Sequence, residues 1–135
     1  MHDQDKKLKL SLLILRLSVF LVMYMWTIEK FLNPGHGIKV FKDFYFMGGL
    51  DERAMYLVGA IEMLLLLGFV VGYKKKITYG AVLILHAVST LSSIKQYLAP
   101  FEDANMLFFA AWPMLAACFV LFIMRDSDTK WTIGK

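Results

Sequence analysis

Residues 54–98 read AMYLVGAIEMLLLLGFVVGY (54–73), KKK (74–76) and ITYGAVLILHAVSTLSSIKQYL (77–98). The two apolar segments are 20 and 22 residues long. At ~1.5 Å of rise per residue, each matches a bilayer core of roughly 30 Å. Lys74, Lys75 and Lys76 are too charged to enter lipid, so the stretch reads as a hairpin of two membrane spans. An ionisable group at membrane depth is costly and marks a functional site by default. Glu62 lies eight residues after Ala54, and His86 nine after Ile77. Both are therefore expected ~12–14 Å from their own end of the hairpin, near the midplane. A carboxylate facing an imidazole there shares a proton, which removes most of the burial cost. The pattern predicts Glu62 and His86 as a coupled pair lining a ligand or proton site. The alternative is that each only satisfies a polar contact in a packed bundle.

Working outward, the chain of 135 residues is 59% hydrophobic and 19% charged, with a mean hydropathy of +0.57. Four apolar runs stand out, at 10–32, 54–73, 77–98 and 104–124. They leave room for short loops and for no soluble domain. The expectation is one all-α membrane domain over 1–135, a bundle of four transmembrane helices. Lys6, Lys7, Lys9, Lys74, Lys75, Lys76, Arg125, Lys130 and Lys135 all fall on one side if the chain crosses four times. The positive-inside rule then places both termini in the cytoplasm, in a bacterial inner membrane. The net charge of +4 reads as topology and contact with anionic lipid. The bilayer is the expected partner, and nucleic acid is not. The first span is too long for a cleavable signal peptide, contains Arg16, and precedes no small-residue cleavage site. The single Cys118 excludes an intrachain disulfide and reads as a packed apolar residue.

Taken in order, residues 1–9 form a polar tail. In the first span Arg16, Phe20, Tyr24, Thr27 and Phe31 follow helical spacing, and this face is expected to turn inward. Arg16, two turns in, is expected to snorkel to the headgroups, the alternative being a reach across to a carboxylate or anionic ligand. Glu29 and Lys30 mark the outer boundary, with Lys95 completing an outer charged cluster. Asn33-Pro34-Gly35-His36-Gly37 stops the helix. Residues 38–47 then read as a short amphipathic helix in the outer interface. Gly68 and Gly72 are spaced for close helix packing. Tyr79, His86, Thr90, Ser93 and Tyr97 form a polar stripe on the third span. Asp103 is an expected N-cap of the fourth. Pro113 is expected to kink that span, and the tail after Arg125 reads as polar and cytosolic.

The chemistry offered is narrow. No phosphate loop, dinucleotide fingerprint, nucleophile elbow or zinc-protease motif is present. Only His86 lies within a span, which excludes bis-histidine haem, and no third metal ligand joins Glu62 and His86. What remains is the Glu62–His86 pair with Arg16, Tyr24, Thr27 and Thr90 around it, and the outer Glu29, Lys30 and Lys95. Such an array suits a quinone-like or small anionic ligand, or a proton path.

Four spans in so short a chain, with Arg16 and Lys30 in the first and GAIEMLLLLGFVVGYKKK across the second, resemble the DoxX family of small membrane proteins. The resemblance covers about residues 10–125 and rests on Arg16, Lys30, Glu62, Gly68 and Gly72. The glycine that the family often carries shortly before the first-span lysine is missing from MWTIEK. The resemblance implies a membrane subunit associated with redox chemistry, with quinone as ligand and a membrane or peripheral redox protein as partner, as in a quinone-linked oxidoreductase. Set against it is a non-catalytic assembly, scaffold or chaperone subunit whose buried polar residues only fix packing. A proton-coupled carrier is the third class, and four helices would then require a homo-oligomer.

Overall fold

The computed structural model describes residues 2–134, and these contain helices and no strand. α1 spans His2–Leu32, α2 Pro34–Tyr45, α3 Glu52–Val70, α4 Lys75–Ser92 and α5 Ile94–Leu98. A 3₁₀ helix over Asn105–Ala110 runs into α6, Ala111–Ile123. Three of these helical stretches are long and apolar enough to cross a membrane: α1, α3 and Asn105–Ile123. α4 has 18 residues and opens on Lys75-Lys76. Ser93 separates it from α5, so the apolar run 77–98 is not one helix. Around that break Ser92 Oγ donates to the Ser89 carbonyl at 2.7 Å, the kind of local bond by which serine competes with helix continuation.

The polar residues before the first span continue α1 rather than forming a separate tail. Asp3 and Asp5 occupy its first turn, where carboxylates favour the helix dipole. Lys9 pairs with Asp5 one turn back at 3.1 Å. The Asn33–Gly37 punctuation breaks the chain at Asn33 alone. Pro34 then takes the first position of α2, where its missing N–H costs nothing. Both following glycines lie inside α2, and Gly37 is buried against Met55. α2 ends with Phe46 left-handed at φ 57°, its N–H returning to the Phe41 carbonyl.

α3 is capped by Asp51, whose carboxylate accepts from the Ala54 N–H at 2.9 Å. The one expected cap, Asp103, instead sits left-handed in the loop, and Ala104 precedes the 3₁₀ helix. Pro113 falls in the first turn of α6, so a change from 3₁₀ to α-helix replaces the predicted mid-span kink.

α1, α3, α4 and α6 share one core. It is built from Leu12, Val19 and Met23 of α1, Leu66 and Phe69 of α3, Tyr79 and Val82 of α4, and Cys118 and Leu121 of α6. Cys118 is buried there as expected. Most large apolar residues outside this core face outward, Leu64, Ile84 and Leu91 among them. This is the reverse of a water-soluble protein's surface. Gly68 packs against Thr78 of α4. Gly72 lies beyond α3, in a left-handed turn at φ 70°, with Thr132 of the C-terminal tail against it. The glycine pair thus does not line a helix crossing. It serves one helix contact and one turn.

A Cβ on Gly72 would stand 2.6 Å from Thr132 Cβ, and the left-handed backbone alone costs ~1–2 kcal/mol for other residues. Gly72→Ala is expected to destabilise the chain by about that amount or more and to loosen residues 128–133. Chemical denaturation and hydrogen exchange of the tail amides check both.

Candidate functional site

Two separate polar centres occupy the bundle, one at each end of its core. The first lies at the end that carries residues 74–76. Arg16 is completely buried there and does not snorkel. The tail beyond α6 folds back under the bundle and brings Asp128, also completely buried, to the guanidinium. Arg16 Nη1 donates to Asp128 Oδ1, and Nη2 donates to the Lys130 carbonyl at 2.6 Å and the Trp131 carbonyl at 3.3 Å. The Tyr79 hydroxyl donates to Asp128 Oδ2 at 2.6 Å. Lys75 Nζ donates to the Asp128 backbone carbonyl at 2.6 Å. Lys75 is therefore a buried member of the cluster, while Lys74 and Lys76 remain exposed. Burial pushes the Lys75 amine below its ordinary pKa, and the Asp128 charge opposes that shift.

Glu62 anchors the second centre. Thr27 Oγ1 of α1 donates to Glu62 Oε2 at 3.1 Å, and Lys30 Nζ approaches the same oxygen at 3.4 Å. The other carboxylate oxygen takes no hydrogen bond from the described residues. Beside it runs a groove of about 440 Å³ between α3 and α4, lined by Ile61, Leu65, Ile84 and Leu85. Phe41 of α2 lines the same groove. The walls are almost wholly apolar, and Glu62 supplies the charge.

His86 belongs to neither arrangement. Its Nε2 lies 3.0 Å from the Ala111 carbonyl of α6, so that nitrogen carries the proton. The ring stacks on Trp26 at 6.1 Å between centroids, and Nδ1 is buried without a partner. The predicted Glu62–His86 pair is not formed: α3 turns Glu62 toward α1, and α4 turns His86 toward α6. Similar depth along two helices does not make two side chains share a face.

The remaining expected residues divide in the same way. Thr27 joins Glu62, and both it and Thr90 are buried. Thr90 Oγ1 donates back to the His86 carbonyl at 2.7 Å, one turn earlier in its own helix. Its own carbonyl accepts from the Tyr97 hydroxyl at 2.8 Å. Tyr24 is half-buried against Phe20. The outer cluster does not assemble. Lys30 turns inward to Glu62, Glu29 pairs with His36 of α2 at 2.6 Å, and Lys95 is exposed on α5. Among the described residues, no group of three His, Cys, Asp or Glu side chains comes together as a metal site would require.

Sequence reasoning missed Asp128 and the part played by Lys75. One signal was present: a buried arginine in a span demands a carboxylate, and Asp126 and Asp128 follow the last span on the side from which Arg16 enters. No family model, curated protein or solved structure matches the chain.

Breaking a buried ion pair leaves an uncompensated charge, at a cost of about 3–5 kcal/mol. Arg16→Met alone should lose stability on that scale. Arg16→Met combined with Asp128→Leu should lose distinctly less, because neither member of the pair is left buried without the other. Denaturant titration of the parent, both single variants and the double variant measures the coupling.

Proposed function

We propose that this chain is a small integral membrane subunit that holds a quinone-like hydrophobic ligand in the groove beside Glu62. The observation that carries the reading is a carboxylate with one unengaged oxygen on the wall of an apolar groove. Ligand sites of this kind pair a mostly apolar lining with very few orienting polar groups. In the four-span reading, α3 and α4 are neighbouring spans and the groove between them faces the acyl chains. A ring with an isoprenoid-like tail then enters sideways from the bilayer. Lys30 and Thr27 hold Glu62 by Oε2, which leaves Oε1 to accept a hydrogen bond from a ring hydroxyl or to take its proton. The resemblance to the DoxX family supports an association with redox chemistry and a redox protein as partner. His86 belongs to the packing of α4 on α6 in this reading, and Arg16 to the opposite end.

The same proposal places the chain in a bacterial inner membrane, with four crossings and both termini in the cytoplasm. Lys76 is exposed in the first turn of α4. A Lys76→Cys variant should react with a membrane-impermeant thiol reagent only from the cytoplasmic face; labelling of intact cells from outside would refute the topology.

For the ligand, Glu62→Gln keeps the side chain's shape but removes its charge. The variant should retain its fold, with a thermal midpoint close to the parent's, and lose at least about tenfold in affinity for a photoreactive quinol analogue, the equivalent of ~1.4 kcal/mol. Equal labelling of parent and variant, with no crosslinks on α3 or α4, would reject the groove as the site and favour the scaffold alternative.

A further inference from the structure

We propose that Arg16, Tyr79 and Lys75 form an oxyanion-binding cradle built to take a phosphate group, and that the C-terminal tail fills it with Asp128 as a tethered competitor. The three side chains come from α1 and α4 and are all buried. An arginine and a tyrosine hydroxyl meet on the Asp128 carboxylate, with a lysine amine beside them on the Asp128 carbonyl. Arginine, tyrosine and lysine together form a donor set that recognises carboxylates and phosphates.

The tail fits the cradle incompletely. Arg16 Nε is buried and bonds to nothing. Lys75 reaches a backbone carbonyl of the tail rather than a carboxylate. Among the described residues, two cations are thus matched at the centre by one carboxylate, whereas a phosphate dianion would match both. Asp126 stands in the Lys75 neighbourhood and raises its proton affinity, but forms no ion pair with it. A cavity of about 450 Å³ adjoins the cluster, lined by Lys75, Asp126, Thr129 and Gly134, and gives room for a larger group than a carboxylate.

The tail is also lightly held elsewhere. Trp131 is left-handed at φ 59°, in a region disfavoured for a non-glycine residue. The Trp131 and Ile133 side chains are 71% and 73% exposed. Beyond the cradle, the Ile133 N–H bonded to the Val71 carbonyl and the Thr132–Gly72 contact are what fasten it. The tail cannot simply leave, because Arg16 would remain buried and unpaired. Release therefore requires an exchange of one anion for another. Tethering gives Asp128 an effective concentration on the order of millimolar. An incoming phosphate must be comparably abundant or bind more strongly through its second charge. Free phosphate monoesters and the phosphomonoester headgroup of phosphatidic acid share this chemistry.

The test uses the full chain in phosphatidylcholine vesicles, with inorganic phosphate as probe and chloride at equal ionic strength as control. Asp128→Ala should lower the thermal midpoint, and phosphate should raise it again saturably, whereas chloride should not. In the unaltered chain, phosphate at about ten times its dissociation constant should speed exchange of the tail amides about tenfold, as one-site competition requires. Phosphatidic acid mixed into the vesicles, without free phosphate, should stabilise Asp128→Ala if the headgroup is the source and leave it unchanged if free phosphate is. Should Asp128→Ala not fold, Asp128→Asn carries the same measurements. The proposal is overturned if neither phosphate nor phosphatidic acid stabilises the variant beyond chloride, or if phosphate leaves the unaltered tail's exchange unmoved. The Glu62 groove is untouched by these changes, so its ligand reading stands or falls separately.

Discussion

A buried guanidinium must have an anion, and much of the tail end of this chain follows from that requirement. Arg16 lies in a helix whose surroundings are otherwise apolar. The nearest remedy, reaching back along α1 to water, is not the one adopted. Asp128 is delivered to it from 112 residues further along the chain. To reach Arg16, the segment after α6 must turn under the bundle, press Thr132 onto Gly72 and bond its Ile133 amide to Val71. Tyr79 and Lys75 then complete the shell around the carboxylate. One ion pair thereby ties α1, the turn after α3, the start of α4 and the tail into a single unit.

The opposite centre uses charge more sparingly. Glu62 has two cationic or hydroxyl neighbours on one oxygen and an apolar groove beside it. Both carboxylate oxygens of Asp128 accept side-chain hydrogen bonds, one from Arg16 and one from Tyr79. Glu62 takes such bonds on one oxygen alone from the described residues, and the proposed ligand site rests on the other. The number of engaged carboxylate oxygens is what distinguishes the two centres.

The packing of small residues shows how narrowly a pattern can be read. Gly37 and Gly59 admit Met55 and Phe31 against the helix backbone, while Gly72 supplies a positive φ where the chain leaves α3. Equal spacing between Gly68 and Gly72 therefore carries no common purpose, since the helix ends between them. Pro113 and Pro34 behave alike for the reason that spoils the kink expectation: each sits in a first helical turn, where no backbone bond is lost.

Composition and hydrophobic runs determined the class of molecule: a helical chain with an apolar exterior, helices near 10–32, 54–73 and 104–124, and a short helix after the first, whereas the run 77–98 is divided at Ser93 into α4 and α5. These depend on local physics, chiefly the cost of exposing apolar surface and of leaving backbone groups unbonded. Cys118 in the core and Thr27 turned inward were legible for the same reason. The partner of each polar side chain was not. Periodicity gives a residue's angle on its own helix, but the rotation of one helix against another is fixed only when all the core side chains pack together. That is why Glu62 and His86, similar in depth, face different neighbours, and why Lys30 leaves the outer charges to join Glu62. The tail shows the limit most clearly. Nothing local makes DSDTKW bind anywhere, and only the assembled bundle, with an unpaired Arg16 inside it, gives Asp128 a place to go.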